Sequence, residues 1–332
     1  MAAGQVGPSM GQDKWRLASA WVAEQSTSLP WEIAGQLEIV QDRPWSSVMR
    51  VATTAGTMFL KVCEEQSRFE AGLLQLLSER HADCSPVLLA ADAQHGYLLM
   101  EDAGQRLREI LNEENWLEHW QRILARYAEL QLDMSQYSQE LIQLGLPDRR
   151  LPLLPDRLEA ILAEDEFVLT GQRDGLTQFQ LTQLKEMLPS IRIRCTELQK
   201  AGIPNSVNHG DFHDGNIFVK EGRYIFTDWG DASLSHPFFS LRTTFVSLEN
   251  TLGFEEHAPI FNVLRDGYLQ SYSDYGSNEH LVETFELAWC LWSLGSLLSW
   301  HTSLKAWAPA KRVEYRDVIP SLLIELLEAN RG

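Results

Sequence analysis

The stretch His209-Gly210-Asp211-Phe212-His213-Asp214-Gly215-Asn216-Ile217-Phe218-Val219, followed by Tyr224-Ile225-Phe226-Thr227-Asp228-Trp229-Gly230, decides how this chain is read. Asp211 and Asn216 stand five residues apart in one loop, and Asp228 follows twelve residues after Asn216, at the end of a strand-like run. The runs NIFV and YIFT flank the turn KEGR and predict a hairpin. Phosphoryl transfer from a nucleotide needs this set of groups. One aspartate accepts the proton of an attacking hydroxyl, while an Asn amide oxygen and a second aspartate offer hard oxygen ligands to Mg2+. Any one of these residues alone is more often a turn residue than a ligand. Three at this spacing, between strands, point to chemistry.

Working outward, residues 13–27 have a helical spacing of Trp15, Leu17, Trp21 and Val22, and Pro30 ends the pattern. From Gln36 to Cys63 the short runs GQLEIVQ, SSVMRVATT and TMFLKVC are separated by the turn-like DRPW and AGT, which predicts three antiparallel strands. A helical stripe of Phe69, Leu73, Leu74, Leu76 and Leu77 follows, and then two apolar runs, PVLLAA and GYLLMED. The first third therefore reads β-β-β-α-β-β. After Gly104 the patterns are helical, at 115–133, 155–164, 177–201 and over 238–330, with one small hairpin embedded among them.

The expected fold class is α+β in two lobes. Residues 1–103 form a small antiparallel sheet with one main helix and the helix near 13–27, and residues 104–332 form a larger, mostly helical lobe.

Composition narrows the partners. The chain has 332 residues, 28 Lys+Arg against 46 Asp+Glu, a net charge of −18 and 44% apolar residues. The negative excess runs the whole length, and no segment carries the clustered Lys/Arg that binding nucleic acid through its phosphates requires, so no nucleic-acid partner is expected. Cys63, Cys84, Cys195 and Cys290 form no CxxC pair and read as reduced thiols. The first dozen residues have neither a basic nor an apolar region of a signal peptide, so a cytoplasmic location is expected. Leu287 to Leu304 carries no formal charge, but it is short and rich in Ser. It reads as a buried helix and not a membrane span.

HGDFHDGNIFV resembles the catalytic loop of the aminoglycoside phosphotransferase and choline kinase family, a branch of the protein-kinase-like fold. FTDWGDASLSHPFFSL resembles that family's metal-binding segment, and the resemblance covers most of the chain. It implies a catalytic base at Asp211, metal binding at Asn216 and Asp228, and a structural role for His209. His213, Asp214 and Asp231 would shape the loop. Ser240 stands where many relatives have Asp, and reads as a support position.

An ATP kinase also needs a cation on the phosphates. Lys61 in TMFLKV is the natural candidate, with Glu70 as its ion-pair partner and Glu64 and Glu65 competing for that place. The family's glycine-poor, Ser-bearing phosphate loop fits Ser46 and Ser47. Its interlobe hinge fits LLMEDAG, where backbone groups of Glu101 and Ala103 would bind the adenine edge.

The implied cofactor is Mg2+, with ATP as co-substrate and GTP as its alternative. The implied acceptor is a small hydroxyl compound such as an aminoglycoside, a choline-like alcohol or a sugar. Glu249, Glu255, Glu256, Asp266, Glu283 and Glu286, with Trp289, Trp292, Trp300 and Tyr268, would suit a cationic one. Trp289, Trp292, Leu294 and Leu297 also read as a helix's core stripe. A catalytically silent pseudokinase is the alternative reading. A protein kinase is disfavoured by the missing GxGxxG loop and by the short segment after Asp228.

Overall fold

The computed structural model describes residues 10–255 and 258–331, so Glu256 lies outside the described residues. The chain divides into two compact units, Met1–Gly104 and Gln105–Gly332.

In the first unit, helix α1 (Met10–Ser26) precedes strands β1 (Glu38–Asp42), β2 (Ser46–Thr53) and β3 (Gly56–Cys63), helix α2 (Phe69–Arg80), and strands β4 (Leu88–Asp92) and β5 (Tyr97–Glu101). The strands form one antiparallel sheet in the order β1-β2-β3-β5-β4. Successive side chains along a strand point to opposite faces. In β3, Met58, Leu60 and Val62 therefore share one face and pack with Ala18 and Val22 of α1, Trp31, Met49 and Val51 into a single core. Lys61 and Cys63 take the other face, toward Glu70 of α2. The pleat of β3 is thus what aims Lys61.

The second unit begins with β6 (Gln105–Arg106), followed by helices α3 (Trp116–Met134), α4 (Ser138–Gln143), α5 (Leu154–Ile161), α6 (Asp165–Val168) and α7 (Gln178–Lys200). Four short strands come next, β7 (Ser206–Asn208), β8 (Ile217–Lys220), β9 (Arg223–Phe226) and β10 (Ser233–Ser235). Helices α8 (Leu241–Leu252), α9 (Ile260–Gln270), α10 (Asn278–Trp289), α11 (Ser293–Ala306), α12 (Pro309–Arg312) and α13 (Val318–Ala329) complete it.

The buried stripe of α3 runs through Trp116, Trp120, Ile123, Tyr127, Gln131 and Met134. This helix packs against α9 and β7, while α11 packs against α13.

Two expectations are corrected. The hairpin β8–β9 is not isolated: β6 pairs with β8 to make three strands, and β7 and β10 form a second, two-stranded sheet. Both additions come from segments of two or three residues, too short to show a period. The stretch Leu287 to Leu304 is also not one helix, because a turn at 290–292 separates α10 from α11. Asn278–Ala306 taken together is long and apolar enough to cross a membrane by length and composition, with half of its apolar window buried inside the protein.

Candidate active site

β7 and β10 pair antiparallel with Asn208 opposite Ser233, so the loop leaving β7 and the segment entering β10 lie side by side. Gly210 has φ +83°, and any Cβ there would overlap the Asp231 carbonyl, so glycine is required on both counts. Asp228 is a non-glycine residue in the left-handed region, with φ +62°. Such a conformation is held by its surroundings and is concentrated at functional sites.

His209 fixes the start of the loop. Its backbone N–H donates to the Tyr127 hydroxyl at 3.0 Å, its Nε2 lies 2.9 Å from the Thr227 carbonyl, and its Nδ1 accepts from the Asp211 N–H at 3.3 Å. Burial lowers its pKa to about 4, so the ring is neutral, with Nε2 as donor and Nδ1 as acceptor. One side chain thereby ties the loop to the strand end that carries Asp228.

The Asn216 amide nitrogen donates to the Asp211 carboxylate and to its backbone carbonyl, both at 3.0 Å. The Asn216 carbonyl accepts from the Thr227 N–H at 2.9 Å and from its hydroxyl at 3.0 Å. With the nitrogen spent on Asp211, the Asn216 amide oxygen has no hydrogen-bond partner among the described residues.

Burial pushes the Asp211 carboxyl up, but the hydrogen bond and charge of His213, with His209 and Asn216, outweigh it and hold the group below the usual carboxylate range. It is ionised at neutral pH, as a proton acceptor must be.

His213 stands 3.2 Å from the Asp211 carboxylate through Nε2 and 3.7 Å from Asp214 through Nδ1. Desolvation lowers its pKa, yet the two acids raise it to about 9. The Gly215 N–H, 2.8 Å from Nδ1, is the contact that favours the neutral ring. In either state Nε2–H faces Asp211.

Asp214 is fully buried and accepts from Arg108 at 2.9 and 2.6 Å and from Ser247 at 2.9 Å. Burial raises this carboxyl, but His213, Arg108 and Ser247 hold it far below the usual range. Asp231 accepts from Ser299, and burial, reinforced by the charges of Asp211 and Asp228, raises its pKa.

Ser240 anchors the start of the loop through neutral groups. Its hydroxyl lies 3.1 Å from that of Tyr127, which receives the His209 N–H, and it accepts from Gln131 at 3.2 Å. Gln131 in turn accepts from Tyr268 at 2.6 Å and donates to the Val207 carbonyl at 3.1 Å. A chain of neutral groups thus does the anchoring, and Tyr127 stacks on Phe212 of the loop with centroids 4.0 Å apart. Tyr127, Gln131, Arg108 and Ser247 escaped the sequence reading. A glutamine on the apolar stripe of α3 was the one available signal.

His236, just before Ser240, gives a clean pH prediction. It is buried, its Nδ1 accepts from the Phe238 N–H at 3.3 Å, and its Nε2 has no partner. Burial lowers its pKa to about 3. The folded ring therefore stays neutral where the unfolded ring, near 6.5, takes up a proton. Stability from this group is complete above about pH 6.5 and is lost as pH falls toward 3. His236→Asn keeps the acceptor and removes the titration. Between pH 7.5 and 5 it should lose roughly 2 kcal/mol less stability than the native chain in urea unfolding, and equal losses would refute the assignment.

In the first unit, Lys61 Nζ lies 2.8 and 2.7 Å from the two oxygens of Glu70, with side chains 6% and 0% exposed. Cys63 donates to the same carboxylate at 3.3 Å. Glu64 pairs instead with Lys14 at 2.7 Å, and Glu65 is exposed. Helix phase decides between them, since Glu70 falls in the first turn of α2.

Ser46 and Ser47 open β2 instead of lying in the turn before it, and both are buried. The Ser47 hydroxyl donates to Asp42 at 2.6 Å. Glu101 ends β5, its N–H taken by the Val87 carbonyl at 3.0 Å, while Ala103 makes no backbone hydrogen bond among the described residues.

Five of the acids and aromatics that would suit a cationic acceptor, Glu249, Asp266, Glu286, Trp289 and Trp292, already face arginines of the chain. Arg242 lies over Trp289 and Trp292 at 5.5 and 5.4 Å and 3.7 Å from Glu249. Arg265 pairs with Asp266 at 2.8 Å and Glu286 at 3.1 Å. Tyr268 is buried in the Gln131 network, Trp300 stacks on Tyr315, and Glu255 and Glu283 are exposed.

No cluster of three or more His, Cys, Asp or Glu side chains able to hold a metal occurs among the described residues. Mg2+ held by one or two protein groups plus phosphate oxygens needs none. The uncommitted amide oxygen of Asn216 and the carboxylate of Asp228 are donors of the right hardness.

A small antiparallel sheet with a buried Lys–Glu pair, and a helical unit with an Asp-Asn loop beside a left-handed Asp, define a protein-kinase-like enzyme fold. The chain belongs to the APH phosphotransferase enzyme family, whose sequence profile matches residues 41–277, well over half of its length. No match was found among curated protein sequences.

Among solved structures it is similar to the ethanolamine kinase of Plasmodium vivax, with a TM-score of 0.59 at 11% identity over 98% of this chain and 95% of that one. It is also similar to an amicoumacin kinase in complex with AMP-PNP, Ca2+ and Ami, with a TM-score of 0.53 at 14% identity over 97% of both chains. A third is an aminoglycoside-3'-phosphotransferase of type VIII, with a TM-score of 0.50 at 18% identity over 81% of this chain and 97% of that one. At these identities the likeness is one of fold.

Proposed function

We propose that this protein transfers the γ-phosphoryl group of ATP, or of GTP in its place, to a hydroxyl of a small molecule such as an amino sugar, a choline-like alcohol or a sugar. The bond from the acceptor oxygen to the γ-phosphorus forms as the bond to the β–γ bridging oxygen breaks. ADP departs with that oxygen, and the hydroxyl proton passes to Asp211. Asn216 and Asp228 would hold Mg2+, which supplies neutralisation of phosphate charge when bound. Lys61, oriented by Glu70, would face the α and β phosphates. The Glu101 carbonyl and the Ala103 N–H would meet the adenine edge, with Ser46 and Ser47 at the base of the phosphate loop.

The observation that carries this reading is the division of labour in one side chain: Asn216 spends its amide nitrogen on an ionised Asp211, which leaves its oxygen without a hydrogen-bond partner among the described residues. His209 supports it by tying that loop to the strand end before Asp228.

ATP consumption with a panel of hydroxyl acceptors tests the reading. The native chain should turn over at least one of them, and Asp228→Ala should lower kcat on that acceptor by about 10²–10³-fold. A native chain that binds Mg·ATP and phosphorylates nothing, or an Asp228→Ala variant as fast as native, would refute it.

A further inference from the structure

Arg149, in the loop before α5, is 5% exposed, and its guanidinium makes no hydrogen bond or salt bridge among the described residues. Its backbone N–H is fixed to the Leu234 carbonyl at 2.8 Å, so the residue is anchored alongside β10. Burial lowers its pKa to about 10, with Asp231 opposing that fall and Arg157 adding to it, and the group stays a cation at neutral pH. A buried charge without a direct partner costs several kcal/mol. A buried charge of this kind beside a cleft marks a candidate functional site.

The cleft it lines carries groups able to donate hydrogen bonds to one small anionic group. Arg149 lines a narrow cleft with about 20 Å³ open to a water-sized group, together with Ser233, Ser235 and Ser296. Ser233 and Ser235 alternate along β10 with the buried Leu234 between them, which places both hydroxyls on the face opposite Leu234. None of the three serine hydroxyls has a hydrogen-bond partner among the described residues. The carboxylate nearest in charge, Asp231, has one oxygen taken by Ser299. The lining also includes Asn208, the strand partner of Ser233, and Gly210, the residue immediately before Asp211. One guanidinium and three uncommitted hydroxyls thus converge beside the loop that would accept the acceptor's proton.

We propose that this cleft is the anion subsite of the acceptor, where Arg149 with Ser233, Ser235 and Ser296 holds a carboxylate or phosphate group of the hydroxyl compound to be phosphorylated. The proposal rests on the phosphotransferase reading above and sharpens it to an acceptor that carries an oxyanion. It agrees with the placement of Trp289 and Trp292, whose faces already hold Arg242. The transfer itself is the one already written, with the hydroxyl proton going to Asp211.

Binding tests the proposal without turnover. The full chain, with Mg·ADP in excess so that the nucleotide site is occupied, is titrated with acetate and separately with inorganic phosphate, reading the thermal midpoint. The native chain should show a saturable rise with one of the two, which tells carboxylate from phosphate. Arg149→Met should weaken that probe by about 10–100-fold, the loss of charge-assisted hydrogen bonds. Without the anion it should be as stable as native or more so, because an uncompensated charge has been removed. The double variant Ser233→Ala/Ser235→Ala should weaken the same probe with the fold retained.

Equal responses in native and Arg149→Met would overturn the proposal. So would an Arg149→Met chain that is destabilised without anion and rescued by Asp231→Asn, since Arg149 would then be a structural counter-ion. Failure of Mg·ATP binding would sink the kinase reading alone and leave the anion result standing.

Discussion

Asp211→Asn should lower kcat by about 10²–10⁴-fold while Tm and the KM for ATP stay close to native. The carboxylate is ionised because His213 faces it at 3.2 Å and Asn216 donates to it at 3.0 Å, and these contacts outweigh the cost of its burial. An amide of the same shape keeps an oxygen to accept from Asn216, so the loop geometry survives. It cannot take a proton from an attacking hydroxyl. The loss therefore falls on the chemical step, which is why kcat and not KM should carry it. Steady-state kinetics on whichever acceptor the panel yields, beside a urea unfolding curve, separates the two. A kcat within tenfold of native would remove Asp211 from the role of base.

Much of the site was readable because its parts are close in sequence. Asp211, Asn216 and Asp228 fall within eighteen residues, and a hairpin with the turn KEGR sets their spacing. Lys61 was readable through the period of β3, but its partner was settled only by three-dimensional placement: Glu64 turns to Lys14, and Glu70 enters the face that Lys61 occupies.

What stayed hidden was long-range. Tyr127 lies 82 residues from the His209 N–H it receives, and Arg108 lies 106 residues from Asp214. No periodicity links such pairs. The same limit kept Trp289 and Trp292 between two readings, a helix's core stripe and aromatics suited to a cationic acceptor. A cation does lie over both rings, but it is the chain's own Arg242, on a different helix. Arg149 was hidden for the opposite reason, since an arginine among Pro, Leu and Arg in a loop reads as exposed.

The Lys61–Glu70 pair separates stability from chemistry. Both side chains are buried, 2.7 Å apart, on the face of the sheet opposite the α1 core. Lys61→Met leaves the Glu70 carboxylate, in a site with 0% exposure, without this cation and with the weak Cys63 donor beside it, and removing one partner of a buried pair costs about 3–5 kcal/mol. Replacing both, as Lys61→Met/Glu70→Leu, leaves two apolar groups of similar size. Such replacements are often neutral or better, so the double variant should recover most of the lost stability in urea unfolding. Turnover should not recover. A lysine that stabilises phosphate charge contributes about 10²–10³-fold to kcat, and neither variant supplies a cation there. If the double variant regained activity along with stability, Lys61 would be a structural ion only. A Lys61→Met variant as stable as native would instead mean that the pair is not compensating a buried charge. Stability returning without activity is the pattern expected of a lysine placed for its substrate, with Glu70 present to make its burial tolerable.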